Sequence, residues 1–438
     1  MLPSQLQSAL VDLDAQGLLR RRRVLDGAQG ARVTLDGREY LSFSSNDYLG
    51  LAGHPAIAEA ARQAAGEVGV GAGAAHLLTG HHRLHHELEL ELAAFVGMPA
   101  ALLFSTGYMA NLGVIQALLD RHGEVFEDRL NHASLVDAAL LSRAKLTRYP
   151  HLDLATLERQ LAGSSAKVKL IATDTVFSMD GDLVPVAELL ALAERYDAWL
   201  YLDDAHGFGV LGEAGEGANS LLTVPGREVA PGATFSPLWK RGAGVPKGRG
   251  FIRDFFNGDV SANVAKSPPP PFGKGGGFPP RLIYLATLGK AAGVSGAFVA
   301  GSGELIEWLV NKARTYIYTT AQPPLLAAAV SASLKLIAGE SWRRERLHEL
   351  VARLKAGVEG LPWPLMPSDT PIQPLLVGDQ HAALALAEGL KQRGILIPAI
   401  RPPTVPQGSA RLRISLSAAH TVADVDELLT ALHELAHG

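Results

Sequence analysis

The sequence contains no cysteine, which excludes disulfides, thiolate metal ligands and a cysteine nucleophile and suits a reducing compartment. It lacks an excess of either charge: with a formal net charge of -4 and lysine and arginine spread along the chain, it offers no basic footprint for nucleic acid or an anionic membrane. No uninterrupted apolar run approaches the roughly 18 residues a membrane span requires. The start, MLPSQLQSALVDLDAQGLLRRRR, is no secretory signal, because polar residues break each apolar run and the basic residues stand at the wrong end. Together these absences point to the cytoplasm. What is there is ordinary for a globular protein with a sizeable core: 47% apolar and 19% charged residues in a chain of 438, long enough for two or three domains.

From Ala100 onward, short apolar runs alternate with segments of helical period: ALLFS with NLGVIQALL, EVFED with ASLVDAALLSRA, KLIAT with VAELLALAERY. That alternation predicts an α/β fold with crossover units on a parallel sheet. WLYLDD and LIYLA continue the series, and AFVAGS follows at once. Open sheets of this kind bind ligands at the carboxyl ends of their strands. After a long helical stretch from ELIEWLVNKARTYIY to LLAAAVSASLKLIAG, the strands IQPLLVG, ILIPAI and ARLRISLS predict a small α/β tail. Its last helix opens on a capping box formed by Thr421 and Asp424. The expected division is an arm over 1–53, a large domain over 54–345 and a small domain over 346–438. One stretch breaks the pattern: 222–280 turns to proline, glycine and lysine with little periodicity, and we read it as an irregular insertion between two core strands. Loop-closure entropy grows by only ~0.6 kcal/mol per doubling of length, so the fold should survive it.

Chemistry gathers at the strand ends. Lys290 follows an apolar run inside TLGKAAGVSG, and a buried lysine with a lowered pKa supplies the neutral amine that attacks an aldehyde. By itself the string fits a surface lysine or a phosphate contact as well. Asp203 and Asp204 end another strand in DDAHGFG, where a buried carboxylate needs a cationic or hydrogen-bonding partner; a protonated pyridine nitrogen, a metal and a helix cap all qualify. Gly107 and Tyr108, in FSTGYMANLG, stand where a strand turns into a helix and free amides favour an anion, although an ordinary turn has the same pattern. GVGAGAAHLLTG is preceded by a helix where a dinucleotide fingerprint wants a strand, so NAD is not expected. HHRLHHELE, with no acidic or cysteine complement, reads as a solvated helix start rather than a metal site. GKGGG has no phosphate-loop spacing and is assigned nothing.

Six stretches in order, FSSNDYLGL, NHASL, VFSMDGD, DDAHGFGVLG, TLGKAAGVSGAFVAGS and AIRPPTVPQGSARLRISLSAAH, resemble the α-oxoamine synthases, a family of fold type I pyridoxal-phosphate enzymes. The match spans nearly the whole chain outside the insertion, where the family has a much shorter link. The resemblance implies an aspartate-aminotransferase-like fold, pyridoxal 5'-phosphate as cofactor, no metal, and a homodimer with shared active sites. Residue by residue, it implies that Lys290 holds the cofactor as a Schiff base, Asp203 pairs with the pyridine nitrogen and His132 stacks over the ring. It puts Ser178 and His206 on the ring's phenolic side, Thr287 with the Gly107 and Tyr108 amides on the phosphate, and Thr319 on the neighbouring subunit's phosphate. Arg20, Asn46, Arg401 and Thr404 are implied to meet substrate, along with His132. RPPTVP points, within the family, to decarboxylative condensation of L-alanine with a pimeloyl thioester, carried on coenzyme A or an acyl carrier protein. The alternatives are glycine or serine with another acyl thioester, or a chain silenced by the insertion. Asp174 and His76 depart from the family, which often has glutamate and arginine there.

Overall fold

The computed structural model describes residues 2–16, 18–19, 22–222 and 279–437. The insertion expected over 222–280, with GKGGG, therefore lies outside the described residues except at its edges, and so does Arg20. The chain opens with helix α1 (Pro3–Ala15) and strands β1 (Leu25–Asp26), β2 (Arg32–Leu35) and β3 (Arg38–Ser42), followed by α2 (Pro55–Val68) and α3 (Arg83–Phe95). The crossover region runs β4 (Ala100–Phe104), α4 (Gly107–Leu118), β5 (Gly123–Asp128), α5 (Ala133–Ser142), β6 (Lys145–Tyr149), α6 (Leu154–Ala162), β7 (Val168–Asp174), α7 (Val186–Arg195) and β8 (Ala198–Asp203). It resumes with β9 (Leu282–Thr287), β10 (Ala297–Gly301), α8 (Gly303–Lys312), α9 (Arg314–Ile317) and α10 (Pro324–Gly339). The chain ends with α11 (Trp342–Gly357), β11 (Ile372–Gly378), α12 (Gln380–Gln392), β12 (Ile395–Leu396), β13 (Ala399–Ile400), β14 (Ala410–Ser415) and α13 (Val422–His437).

The large sheet has the order β4-β10-β9-β8-β7-β5-β6. Its pairings are parallel except those of β10, which runs against both neighbours because AFVAGS returns directly after the Lys290 turn, with no crossover helix. Alternate residues enter opposite cores: Leu282 and Tyr284 face one, Ile283 and Leu285 the other. With both faces covered, each fully buried large apolar side chain contributes about 1.5–3 kcal/mol. The parallel register sets Asp174 beside Asp203 and carries both to the carboxyl edge.

Two expectations are corrected. ILIPAI is not one strand: Ile395–Leu396 pairs in parallel with β3 in the arm sheet, while Ala399–Ile400 pairs with β14 in the tail sheet. Pro398 stands between them, and lacking an N–H it could not have continued either ladder. Nor is HHRLHHELE a solvated helix start: His85 is wholly buried, and His76 from the preceding turn packs against it. The string also carries its own acid, Glu89, which is mostly buried. The Thr421 cap is as expected, with Thr421 N donating to Asp424 Oδ2 at 2.8 Å and Asp424 N to Thr421 Oγ1 at 3.2 Å.

Candidate active site

Strand ends supply the centre. Asp203 closes β8, buried, and its Oδ2 accepts Nδ2 of Asn111 at 2.8 Å while Oδ1 accepts the Ala205 amide at 3.1 Å. Asn111 is itself fixed, donating to Ser134 Oγ and accepting the Tyr201 hydroxyl at 2.7 Å. Asp204, pointing away, is a structural group: its carboxylate accepts the Thr175 hydroxyl, Tyr284 Oη at 2.7 Å and the Ala218 amide at 2.8 Å.

Lys290 stands three residues beyond β9, on a turn that passes against the arm. Gly293 there has φ +67°, and a Cβ on it would lie 2.5 Å from the Ala52 amide nitrogen, which is why the string is built of small residues. Burial lowers the Lys290 amine to about 8, against the opposing pull of the Asp203 and Asp174 carboxylates. Arg413, a further cation, pushes the same way as burial.

His132 caps α5. Its amide donates to Asp174 Oδ2 at 2.7 Å, and its Nδ1 lies 2.7 Å from Ser134 Oγ. Burial keeps this imidazole below its ordinary range, with Asp203 opposing. Asp174 is raised well above the usual carboxylate range by burial and by Asp203 beside it. His206, depressed by burial and then by Lys290, is neutral; Tyr48 Oη lies 2.7 Å from its Nδ1, and a proton donated there leaves the ring's own proton on Nε2.

The anion cradle is tight. Thr106 caps α4 by accepting the Met109 amide at 3.1 Å, leaving the amides of Gly107 and Tyr108 free of the cap. A Cβ on Gly107 would meet Thr287 Cγ2 at 2.7 Å, so only glycine brings the helix start this close to the β9 end. The Tyr108 side chain leans outward to Asp137.

The structure adds a residue that sequence reasoning missed. Arg413, buried in β14, donates through Nε to the Ser178 carbonyl, through Nη1 to Asn46 Oδ1 at 3.2 Å and through Nη2 to Tyr48 Oη at 3.2 Å. It thereby draws Asn46, Ser178 and His206 into one group. The available signal was the pair Arg411 and Arg413, charged at alternate positions of a buried strand; Arg411 has an acid, Asp180 at 2.6 Å, and Arg413 has none among the described residues. Arg401 and Thr404 lie on a separate tail loop, joined by Thr404 N donating to Arg401 O at 3.0 Å. Thr319 lies between α9 and α10.

These residues fit pyridoxal phosphate. An amine of lowered pKa, a buried acceptor carboxylate held from behind, and a glycine-only cradle beside Thr287 match the aldehyde, ring nitrogen and phosphate of that cofactor. Fold and site define a fold type I pyridoxal-phosphate enzyme. The chain belongs to the aminotransferase class I and II family, whose model matches residues 38–432. It is 55% identical to the 8-amino-7-oxononanoate synthase of Nitrosomonas eutropha over 436 residues, covering 100% of both chains. The corresponding synthase of Thiobacillus denitrificans is also 55% identical, over 99% of this chain and 98% of that one. Among solved structures, 8-amino-7-oxononanoate synthase from Francisella tularensis superposes with TM-score 0.69 at 27% identity, covering 91% of this chain and 98% of that one. Sphingomonas wittichii serine palmitoyltransferase gives TM-score 0.81 at 25% identity, over 99% and 96%. The chain is thus a pyridoxal-phosphate-dependent acyltransferase that couples carbon–carbon bond formation to decarboxylation.

Proposed function

We propose that the chain condenses L-alanine with a pimeloyl thioester, releasing carbon dioxide and the thiol carrier, as the step of biotin biosynthesis that yields 8-amino-7-oxononanoate. The supporting observation is the Lys290 amine, lowered to about 8 by burial against the pull of Asp203 and Asp174, in a chain 55% identical end to end to enzymes of that name. Pyridoxal phosphate supplies an aldehyde that takes up amino groups and a protonated ring that accepts an electron pair. Everything else is done by the chain's own residues. Asp203 holds the ring nitrogen's proton, and Asn111 with the Ala205 amide keeps that carboxylate in place. His132 covers the ring face, its backbone anchored by Asp174. His206 presents Nε2–H, and Ser178 stands nearby, on the phenolic side. Gly107, Tyr108 and Thr287 receive the phosphate, with Thr319 reaching the phosphate of a second subunit in a homodimer.

Arg413, with Asn46, receives the alanine carboxylate, the guanidinium keeping one Nη2 N–H beyond its bonds to Ser178, Asn46, Ser415 and Tyr48. Lys290 Nζ, near neutrality as an amine, takes the Cα proton and later returns one. Arg20, Arg401 and Thr404 meet the distal end of the acyl chain. The reading divides the chain into an arm over 1–53, a large domain over 54–345 and a small domain over 346–438, in a cytoplasmic enzyme. The test is a turnover matrix: alanine, glycine and serine, each with pimeloyl and longer thioesters on coenzyme A and on carrier protein. Alanine with pimeloyl is expected to be fastest; serine with a long acyl group as the best pair overturns the assignment. An absence of the protein-bound cofactor absorbance band after adding pyridoxal phosphate overturns the enzyme reading for this chain.

A further inference from the structure

Histidines crowd the start of α3. His76, opening the turn His76–Gly80, sets its Nδ1 2.9 Å from Nδ1 of His81 and stacks on Tyr316 with ring centroids 4.9 Å apart. Two triplets have donor atoms that all lie within 4.8 Å of one another: His76, His81 and His85, and His81, His86 and Glu89. Tautomers decide between them. Nδ1 of His85 accepts the His82 amide at 3.0 Å, so the proton of the neutral ring sits on Nε2, which then offers no lone pair. His85 is therefore a poor ligand. His81 is the opposite case: when its Nδ1–H donates to His76, its Nε2 lone pair faces Glu89 Oε2 at 3.9 Å. Glu89 is oriented from behind, its Oε1 accepting the Leu103 amide at 3.0 Å. Its side chain is only 12% exposed, and among the described residues no lysine or arginine pairs with it.

We propose that His81 Nε2, His86 and Glu89 Oε2 bind one divalent transition-metal ion of the zinc type, with solvent in the remaining position. Two imidazoles and a carboxylate are ligands zinc accepts at roughly 2.0–2.2 Å; a tetrahedral edge then needs the His81–Glu89 gap to close by about half an ångström and the gaps to His86 by at most roughly 1.4 Å. His76 and the Leu103 amide are the outer partners that fix ring and carboxylate. The ion braces the turn His76–Gly80 and α3 against β4, the strand that leads into the Gly107 cradle. The surface pair His433 and His437, whose ring centroids are 6.4 Å apart on α13, is the competing location.

The experiment uses the full-length, tag-free, cofactor-loaded chain, stripped with a chelator and titrated with zinc chloride by calorimetry. Cobalt(II) absorbance reports the geometry. One ion per chain is expected, with d–d bands of a four-coordinate site. His86→Ala, an exposed change that leaves folding intact, and Glu89→Gln should each weaken binding on the order of a hundredfold, and His76→Phe, which keeps the stack on Tyr316, about tenfold to a hundredfold. His437→Ala should change nothing. No saturable binding, or loss on His437→Ala in place of His86→Ala, overturns the proposal.

Discussion

At the scale of single residues, burial moves the site's groups away from their solution pKa values, Lys290, His132 and His206 downward and Asp174 upward. Lys290→Ala is expected to remove the cofactor absorbance band and lower kcat by roughly a hundredfold to ten-thousandfold, the usual share of a general base, as read in a turnover assay. Arg413→Lys keeps the charge but loses the fork; the KM for L-alanine should rise about tenfold to a hundredfold, with a smaller change in kcat, checked by steady-state kinetics. Away from the centre, His151 bridges two acids, Nδ1 at 3.0 Å from Asp128 and Nε2 at 2.6 Å from Asp182. Burial pushes it down, but bonds to both carboxylates win and raise it to about 10. His151→Gln leaves Asp128 buried without its cation, and chemical denaturation should show a loss of about 3 kcal/mol at pH 6.5. Lys290, Asp203 and His206 were legible because each sits in a motif at the end of an apolar run. Arg413, Asn111 and Tyr48 were not, since they join the site only when the tail, the helix after β4 and the arm close around it.

Elements were legible wherever a period ran long enough. The helices between Asn111 and Tyr196 and the strands they connect follow directly from alternating runs, and the final helix announced itself by its cap. Thr421→Ala removes that cap and should cost about 1 kcal/mol in thermal denaturation. Asp424 also pairs with Arg32 at 3.1 Å, so the same substitution loosens the seat of a bridge between tail and arm. What periodicity cannot give is which sheet a strand joins. ILIPAI has the apolar content of one strand, and only the missing N–H of Pro398 marks the place where it divides. Likewise the histidine string has helical spacing, but nothing in that spacing tells that His76 folds back to bury its face.

Over the whole molecule, the displaced protonation states combine into a pH dependence. Glu127, buried without a hydrogen-bond partner among the described residues, is pushed up to about 8 by burial, and Asp204 to about 7 by the same cause. Both bind a proton in the fold that the unfolded chain has released by neutral pH, so each loses stability as pH rises toward its folded value. His151 acts in the same direction, its contribution complete below about 6.5 and declining toward 10. Thermal midpoints should therefore fall steadily from pH 6.5 to 8. In Glu127→Gln the fall should be shallower; an unchanged slope in that variant refutes the assignment to Glu127.

Because β12 is laid against the arm while β13, two residues later, is laid against the tail, neither part can swing without carrying the other. Arg413, rooted in the tail and donating to the Ser178 carbonyl beyond β7, ties the same pair to the strand ends of the large sheet.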